Sequence, residues 1–183
     1  MTPTENLINE HLVIDELLGI MSKIADRIKS KKVFYTDDIE EIIDFLKNYI
    51  EKSHHEKEDV FYPALSLAEI PIDKEVISLM SYEHVLTRNY LNDINNCIVK
   101  CKIGHAFSSE MLAESLKNYV VLEKNHIQKE VNIIYPIVNN SLTIEKQHEI
   151  LRQFQQIEEM IEVHSFNEHY SRLLNDLKRK YPN

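Results

Sequence analysis

The sequence predicts an all-α fold, an up-down-up-down antiparallel four-helix bundle followed by two additional C-terminal helices. Three features carry this: only 2 Gly and 5 Pro in 183 residues, apolar residues recurring at helical spacing, and short polar connections between the periodic segments. Helix 1 begins at Thr2, with Pro3 at its first position and Glu5 completing a capping box. It then runs through Leu7, Ile14, Leu18, Met21 and Ile28 to a stop near Ser30. Helix 2 shows the same kind of start in Asp37 and Glu40, carries Ile39, Ile43, Leu46 and Ile50, and is expected to stop at Pro63. Helix 3 spans Asp73 to Lys102. Ser108 is the expected cap of helix 4, which carries Leu112, Leu116, Tyr119, Ile127 and Ile133 and should end before Pro136. Two more helices, roughly 143–163 and 166–180, complete the chain. The expectation is a single domain over 1–183, with the bundle in 1–138 and a helical extension in 143–181. Short connections make consecutive helices antiparallel neighbours.

A formal charge of -9 repels phosphate backbones and anionic headgroups, so neither nucleic acid nor membrane is an expected partner. The start Met1–Glu5 has no basic region followed by an apolar run, and no apolar stretch is long enough for a bilayer, so the expected location is cytoplasmic. Cys97 and Cys101 sit four apart on helix 3 and read as reduced packing thiols.

An internal repeat relates the two hairpins. Glu10-His11 falls on Glu83-His84 at an offset of 73, and His54 and Glu58 fall on His126 and Glu130 at 72. The helix ends agree too, since Tyr62-Pro63 closes helix 2 and Tyr135-Pro136 closes helix 4. Each hairpin therefore offers one His from its first helix and His-x-x-x-Glu from its second.

Residues equidistant from a loop between antiparallel helices lie at one height, because both helices rise equally per residue. His11 and His54 have their midpoint at 32.5, His54 and His84 at 69, and His84 and His126 at 105, each inside an expected loop. Four imidazoles thus share a layer, with Glu58 and Glu130 one turn, about 6 Å, along the axis. That is a cage for two cations, each taking two imidazoles, with the carboxylates bridging and at least one position open. Imidazole and carboxylate with open positions suit iron or manganese, and zinc stays in play on geometry, although a closed cysteine-bound zinc site is absent.

His55, flanked by Glu51 and Asp59, reads as solvated, or as the replacement for His54 if helix 2 is rotated. Glu123 shares a stripe with His126 and Glu130 and could join the ligands or stand behind them. His105, His148, His164 and His169 lie in a loop or outside the repeat and carry no assignment. A rival reads Glu51-x-x-His54 and Glu123-x-x-His126, with Glu10 and Glu83, as a ferritin-like di-iron set. That fold needs a long crossover between helices 2 and 3, and about ten residues between Pro63 and Asp73 would be almost fully extended in spanning it.

With these residues assembled, the chain resembles the hemerythrin-like (HHE cation-binding) family. The likeness rests on Glu10-His11, His54-His55-x-Lys57-Glu58 with Phe61-Tyr62-Pro63, Glu83-His84 with Arg88, and His126-Ile127-x-Lys129-Glu130 with Tyr135-Pro136. Phe154, Ile157-Glu158 and His169-Tyr170 resemble the helices that come after the bundle in that family. The resemblance implies two non-haem iron ions that bind dioxygen or another small diatomic or peroxide ligand, in oxygen binding, sensing or iron handling. The alternative is a di-iron redox enzyme acting on peroxide, nitric oxide or ferrous iron. A metal-free helical interaction module is the third reading. The chain departs from the oxygen carriers on helix 3, where they have a His-x-x-x-His arrangement but Met80 and Arg88 flank His84 and leave the site one imidazole short, and at Glu123, where the family usually has an apolar residue. Helix 2 also has one residue fewer than helix 4 between its Lys-Glu and its Pro.

Overall fold

A computed structural model describes residues 1–68, 70–161 and 163–182, without the side chains of 163–167, so His164 and Phe166 lie outside the described side chains. The elements are α1 (Pro3–Lys29), α2 (Thr36–Phe45), a π segment (Leu46–His55), α3 (Glu56–Leu67), α4 (Lys74–Lys102), α5 (Ser108–Lys129), a second π segment (Glu130–Ile134), α6 (Tyr135–Ser141), α7 (Ile144–Met160) and α8 (Val163–Lys180). The α2–π–α3 run and the α5–π–α6 run are each one continuous rod. With α1 and α4 they make the four-helix bundle, and no strand occurs among the described residues.

Local chemistry explains most boundaries. Thr2 and Glu5 form the expected capping box, and Asp73 caps α4 by accepting the Glu75 N–H. Two expected caps are corrected. The second rod starts at Thr36 behind Tyr35 with no side-chain cap, so Asp37 and Glu40 form no box; Asp37 and Asp38 sit in the first turn, where a carboxylate is favoured by the helix dipole. Ser108 is already helical, and its hydroxyl donates back to the His105 carbonyl at 2.6 Å, while Phe107 takes the cap position at φ 61°.

Neither proline stops its rod, against expectation. Pro63 lies inside α3 and leaves the Asp59 carbonyl without its helical donor, a cost of about 3 kcal/mol. Burial of Phe61, Tyr62 and Leu65 around it offsets that cost, each contributing about 1.5–3 kcal/mol. Pro136 lies in the first turn of α6, right after the π segment, where the missing N–H is tolerated. That segment also shifts the inward face by one position, so Ile134 is buried and the expected Ile133 is 47% exposed.

The core is divided. One apolar cluster, from Ile14 to Ile28 on α1 with Ile39, Leu46, Ile94, Leu116 and Tyr119, fills one part of the bundle. A second, built on Leu7, Phe61, Tyr62, Met80, Ile134 and Tyr135, fills another. Ile150 and Phe154 of α7 complete the second cluster, and Tyr170, Leu173, Leu174 and Leu177 of α8 join the first. The Tyr181 hydroxyl donates to Asp38 at 2.7 Å, tying the end of the chain to the start of the second rod. Cys97 is buried in the first cluster as a free thiol and Cys101 is partly covered. No described helix is long and apolar enough to cross a membrane.

Candidate metal centre

The two apolar clusters leave between them a set of buried polar side chains, all with 3% relative exposure or less: His11, His54, His55, Glu58, His84, Glu123, His126 and Glu130. α1 supplies His11, the second rod His54, His55 and Glu58, α4 His84, and the fourth rod Glu123, His126 and Glu130. Charged or imidazole groups are rarely buried in such numbers unless paired or ligating.

Three of the five rings are oriented from behind. His54 Nδ1–H donates to Glu10 Oε2 at 2.8 Å, His84 Nδ1–H to Asp59 Oδ1 at 2.9 Å, and His126 Nδ1–H to Glu83 Oε2 at 3.1 Å. These bonds assign the tautomer and leave three Nε2 lone pairs aimed inward. There they meet other acceptors. His54 Nε2 is 3.1 Å from His11 Nε2 and 3.0 Å from Glu58 Oε1. His84 Nε2 is 3.4 Å from His126 Nε2 and 3.0 Å from Glu58 Oε2. His11 Nε2 lies 3.1 Å from Glu130 Oε2. His11 Nδ1, Glu58 Oε1 and Glu130 Oε2 have no hydrogen-bond partner although fully enclosed. Lone pairs converging on one another are unfavourable without a proton or a cation between them.

Ligand atoms close enough to share an ion fall into two groups, His11, His54, Glu58 and Glu130 in one, His55, His84, His126 and Glu58 in the other. Glu58 belongs to both. His55 is thus neither solvated nor a substitute for His54, since both rings are inside. The second rod faces α1 on one side and α4 on the other, so adjacent residues point to different neighbours. His55 stacks on His84 at 4.1 Å and 13° between planes, and its Nε2 lies 3.2 Å from Glu123 Oε1. Glu123 stands behind His55 and outside both groups. Glu51 is 3.3 Å from His55 Nδ1 and pairs with Arg88 at 3.2 Å. The ferritin-like alternative fails on these positions, because Glu10 and Glu83 support rings from outside the two groups. His105, His148 and His169 are exposed.

Without a cation the site holds its charge on protons. Burial opposes ionisation of His54, but Glu58 and Glu10 outweigh it and push the ring up to about 10. Burial likewise opposes a charge on His126, and Glu130, Glu58 and Glu83 push it up to about 10. Burial raises Glu123, yet His55 beside it holds the carboxyl down at about 2. Cations at these positions would replace those protons.

Residues 2–138 match the hemerythrin HHE cation binding domain. The chain belongs to the hemerythrin HHE cation-binding family. As a member of it, and with two groups of buried imidazoles and carboxylates, it is a metal-binding protein, which removes the metal-free reading. Comparison with curated proteins and with solved structures gives no match.

The sequence gives none of the supporting residues a place behind the rings; Glu10 and Glu83 enter it as glutamates of the ferritin-like rival, and Lys57 and Lys129 as part of the family likeness. Glu10, Glu83, Lys57 and Lys129 recur in the repeat as Glu-His and Lys-Glu pairs, and that recurrence is the available signal. The phenol of Tyr62, which donates to Glu130 Oε1 at 2.6 Å, recurs in the repeat as Tyr135, whereas Asp59 falls on Val131 and has no counterpart that could find it.

Proposed function

We propose that this HHE protein is a di-iron protein that binds dioxygen or a related small ligand, with residues 1–183 acting as one unit. The observation that carries the reading is the pair of four-residue groups sharing Glu58. His11 and His54 with Glu130 would hold one ion, and His55, His84 and His126 the other, with Glu58 common to both. This set of nitrogen and oxygen donors, with no thiolate, fits iron or manganese better than a closed zinc site. The family resemblance favours iron. Two such ions supply a redox-capable pair with an open position for an oxygen- or nitrogen-centred ligand. The chain's own residues keep the site dry and aligned. Leu7, Phe61 and Ile134 on one side and Leu46, Ile50 and Tyr119 on the other belong to the apolar clusters that limit water access. Glu10, Asp59 and Glu83 fix ring tautomers, and His55 would give the second group a third imidazole beside His84 and His126.

Metal content and the optical spectrum with added azide test this. Two irons per chain with a charge-transfer band support it, and one zinc per chain with no band overturns it.

A redox enzyme acting on peroxide, nitric oxide or ferrous iron is favoured by one observation, the buried phenols beside Glu130. Tyr62 donates to it, and Tyr135, whose hydroxyl is also enclosed, stacks its ring 6.0 Å from that of His11. Both phenols are held well above their usual range by burial and by Glu130. Rapid mixing separates the two: a reversible oxygenated band marks binding, and multiple turnovers mark the enzyme.

A further inference from the structure

The two hairpins carry the same Lys–Glu–His chain, but in different surroundings. In the second, Lys129 Nζ bonds Glu83 at 2.6 and 2.8 Å and its side chain is 25% exposed. In the first, the Lys57 side chain has no exposed surface. Its ammonium donates to Asn6 Oδ1 at 3.1 Å, to Glu10 Oε1, and to Glu158 Oε1 at 2.5 Å, and it lies 5.7 Å from the Phe154 ring centre. Phe154 and Glu158 are four residues apart, on one face of α7. All three ammonium protons are therefore used, and one partner comes from beyond the bundle. A dry lysine depends on every partner it has, because the charge cannot fall back on water.

We propose that Glu158 is a positioning residue for the metal centre, acting through Lys57 and Glu10 on His54, so that α7 controls the cation position built on His11 and His54. This rests on the reading of His54 as a ligand. Glu10 divides its two oxygens between Lys57 and the His54 N–H, so the placement of Lys57 sets the plane and tautomer of that ring. Glu158 sets the placement of Lys57. A cavity of about 410 Å³ whose wall includes Glu10, Ser53 and Glu158 reaches the outer edge of this chain, where water can enter once the Glu158 bond is lost. The second hairpin has no such latch. Water already reaches Lys129, and Glu83 holds His126 with no described residue of α7 or α8 bonded to that pair.

The test uses the full chain loaded with cobalt(II). The ligand-field spectrum and release to an added chelator are recorded for the wild type and for Glu158→Gln, Lys57→Met and Lys129→Met. The wild type should release its two cations in two phases. Glu158→Gln and Lys57→Met should each accelerate the same phase, Lys57→Met by about tenfold, the lower end of what loss of an outer partner costs a metal site. Lys129→Met should accelerate the other phase. Should Lys57→Met fail to fold, Glu158→Gln, a change at a partly exposed side chain, carries the test alone. The proposal is overturned if Glu158→Gln leaves both phases and the spectrum unchanged, or speeds both phases alike, as simple loosening of α7 would. A wild-type chain that takes up no cobalt overturns the proposed function itself and this inference with it.

Discussion

The first hairpin and the second are built from the same motif, and the structure makes them unequal. In the first, the outer lysine is buried beneath α7, His54 and His55 turn toward different helices, and α3 continues past its proline. In the second, the lysine is open to water, a single His faces inward from the fourth rod, and the π segment runs up to Ile134, directly before Tyr135-Pro136, whereas the first hairpin's π segment already ends at His55. A repeated sequence thus supplies matched donors, and the elements packed against each copy decide how each is held.

Removing the shared element should have the largest effect. Glu58 lies within 3.8 Å of His11 and no farther from His54, His84 and His126, whereas Glu130 approaches His11 and, at 3.9 Å, His126. Glu58→Ala should abolish uptake of both cations and Glu130→Ala of one, as measured by metal analysis of the purified chain.

Next comes the cover on the first hairpin. Phe154→Ala should destabilise the chain by about 3–5 kcal/mol in denaturant titration, because the fully buried ring packs from α7 against Phe61. A loss under about 1 kcal/mol would mean that α7 is not integral to the core.

The two hairpins also set the pH dependence. In the metal-free chain His54 and His126 titrate near 10, above the value of 6.5 expected when unfolded. Their contribution is complete below about 6.5 and is lost as pH rises through about 10. Glu123, lowered from 4.5 to about 2, contributes above 4.5 and loses that contribution as pH falls through about 2. The metal-free chain should therefore melt highest between about 4.5 and 6.5 and lower in alkali. The loaded chain needs neutral rings and should instead weaken in acid. Melting curves from about pH 5 to 9 with and without chelator check this, and parallel curves would contradict it.

The smallest effect compares the starts of the two return helices, behind Tyr35 and Phe107, neither with a side-chain cap. Phe107 sits at φ 61° and is 77% exposed, so Phe107→Gly should stabilise by about 1 kcal/mol in denaturant titration. Tyr35, at φ -113°, gains nothing from the same change.

Helical spacing and the equal heights of residues about each loop are enough to place His11, His54, His84 and His126 together, because both come from a constant rise per residue. His55 escapes the same reasoning, since a stripe drawn on one helix face ignores that an inner rod has two neighbours. Ile133 and the stops at Pro63 and Pro136 are misjudged because local rules do not register a widened turn or the burial that holds a helix through a proline. The roles of Glu158 and Lys57 depend on where α7 lies, which no pattern within the bundle contains.

The π segment at Glu130–Ile134 gives the fourth rod one residue more than the second rod has over the matching stretch. A widened turn of this kind accommodates an extra residue within a continuous helical rod. The second rod is the uninserted version: from Glu58 to Pro63 it is ordinary α-helix, and Tyr62 still faces inward, as Tyr135 does. The molecule therefore displays two lengths of one segment side by side, and a chain shortened at exposed Asn132 would have its template already drawn in its own first half.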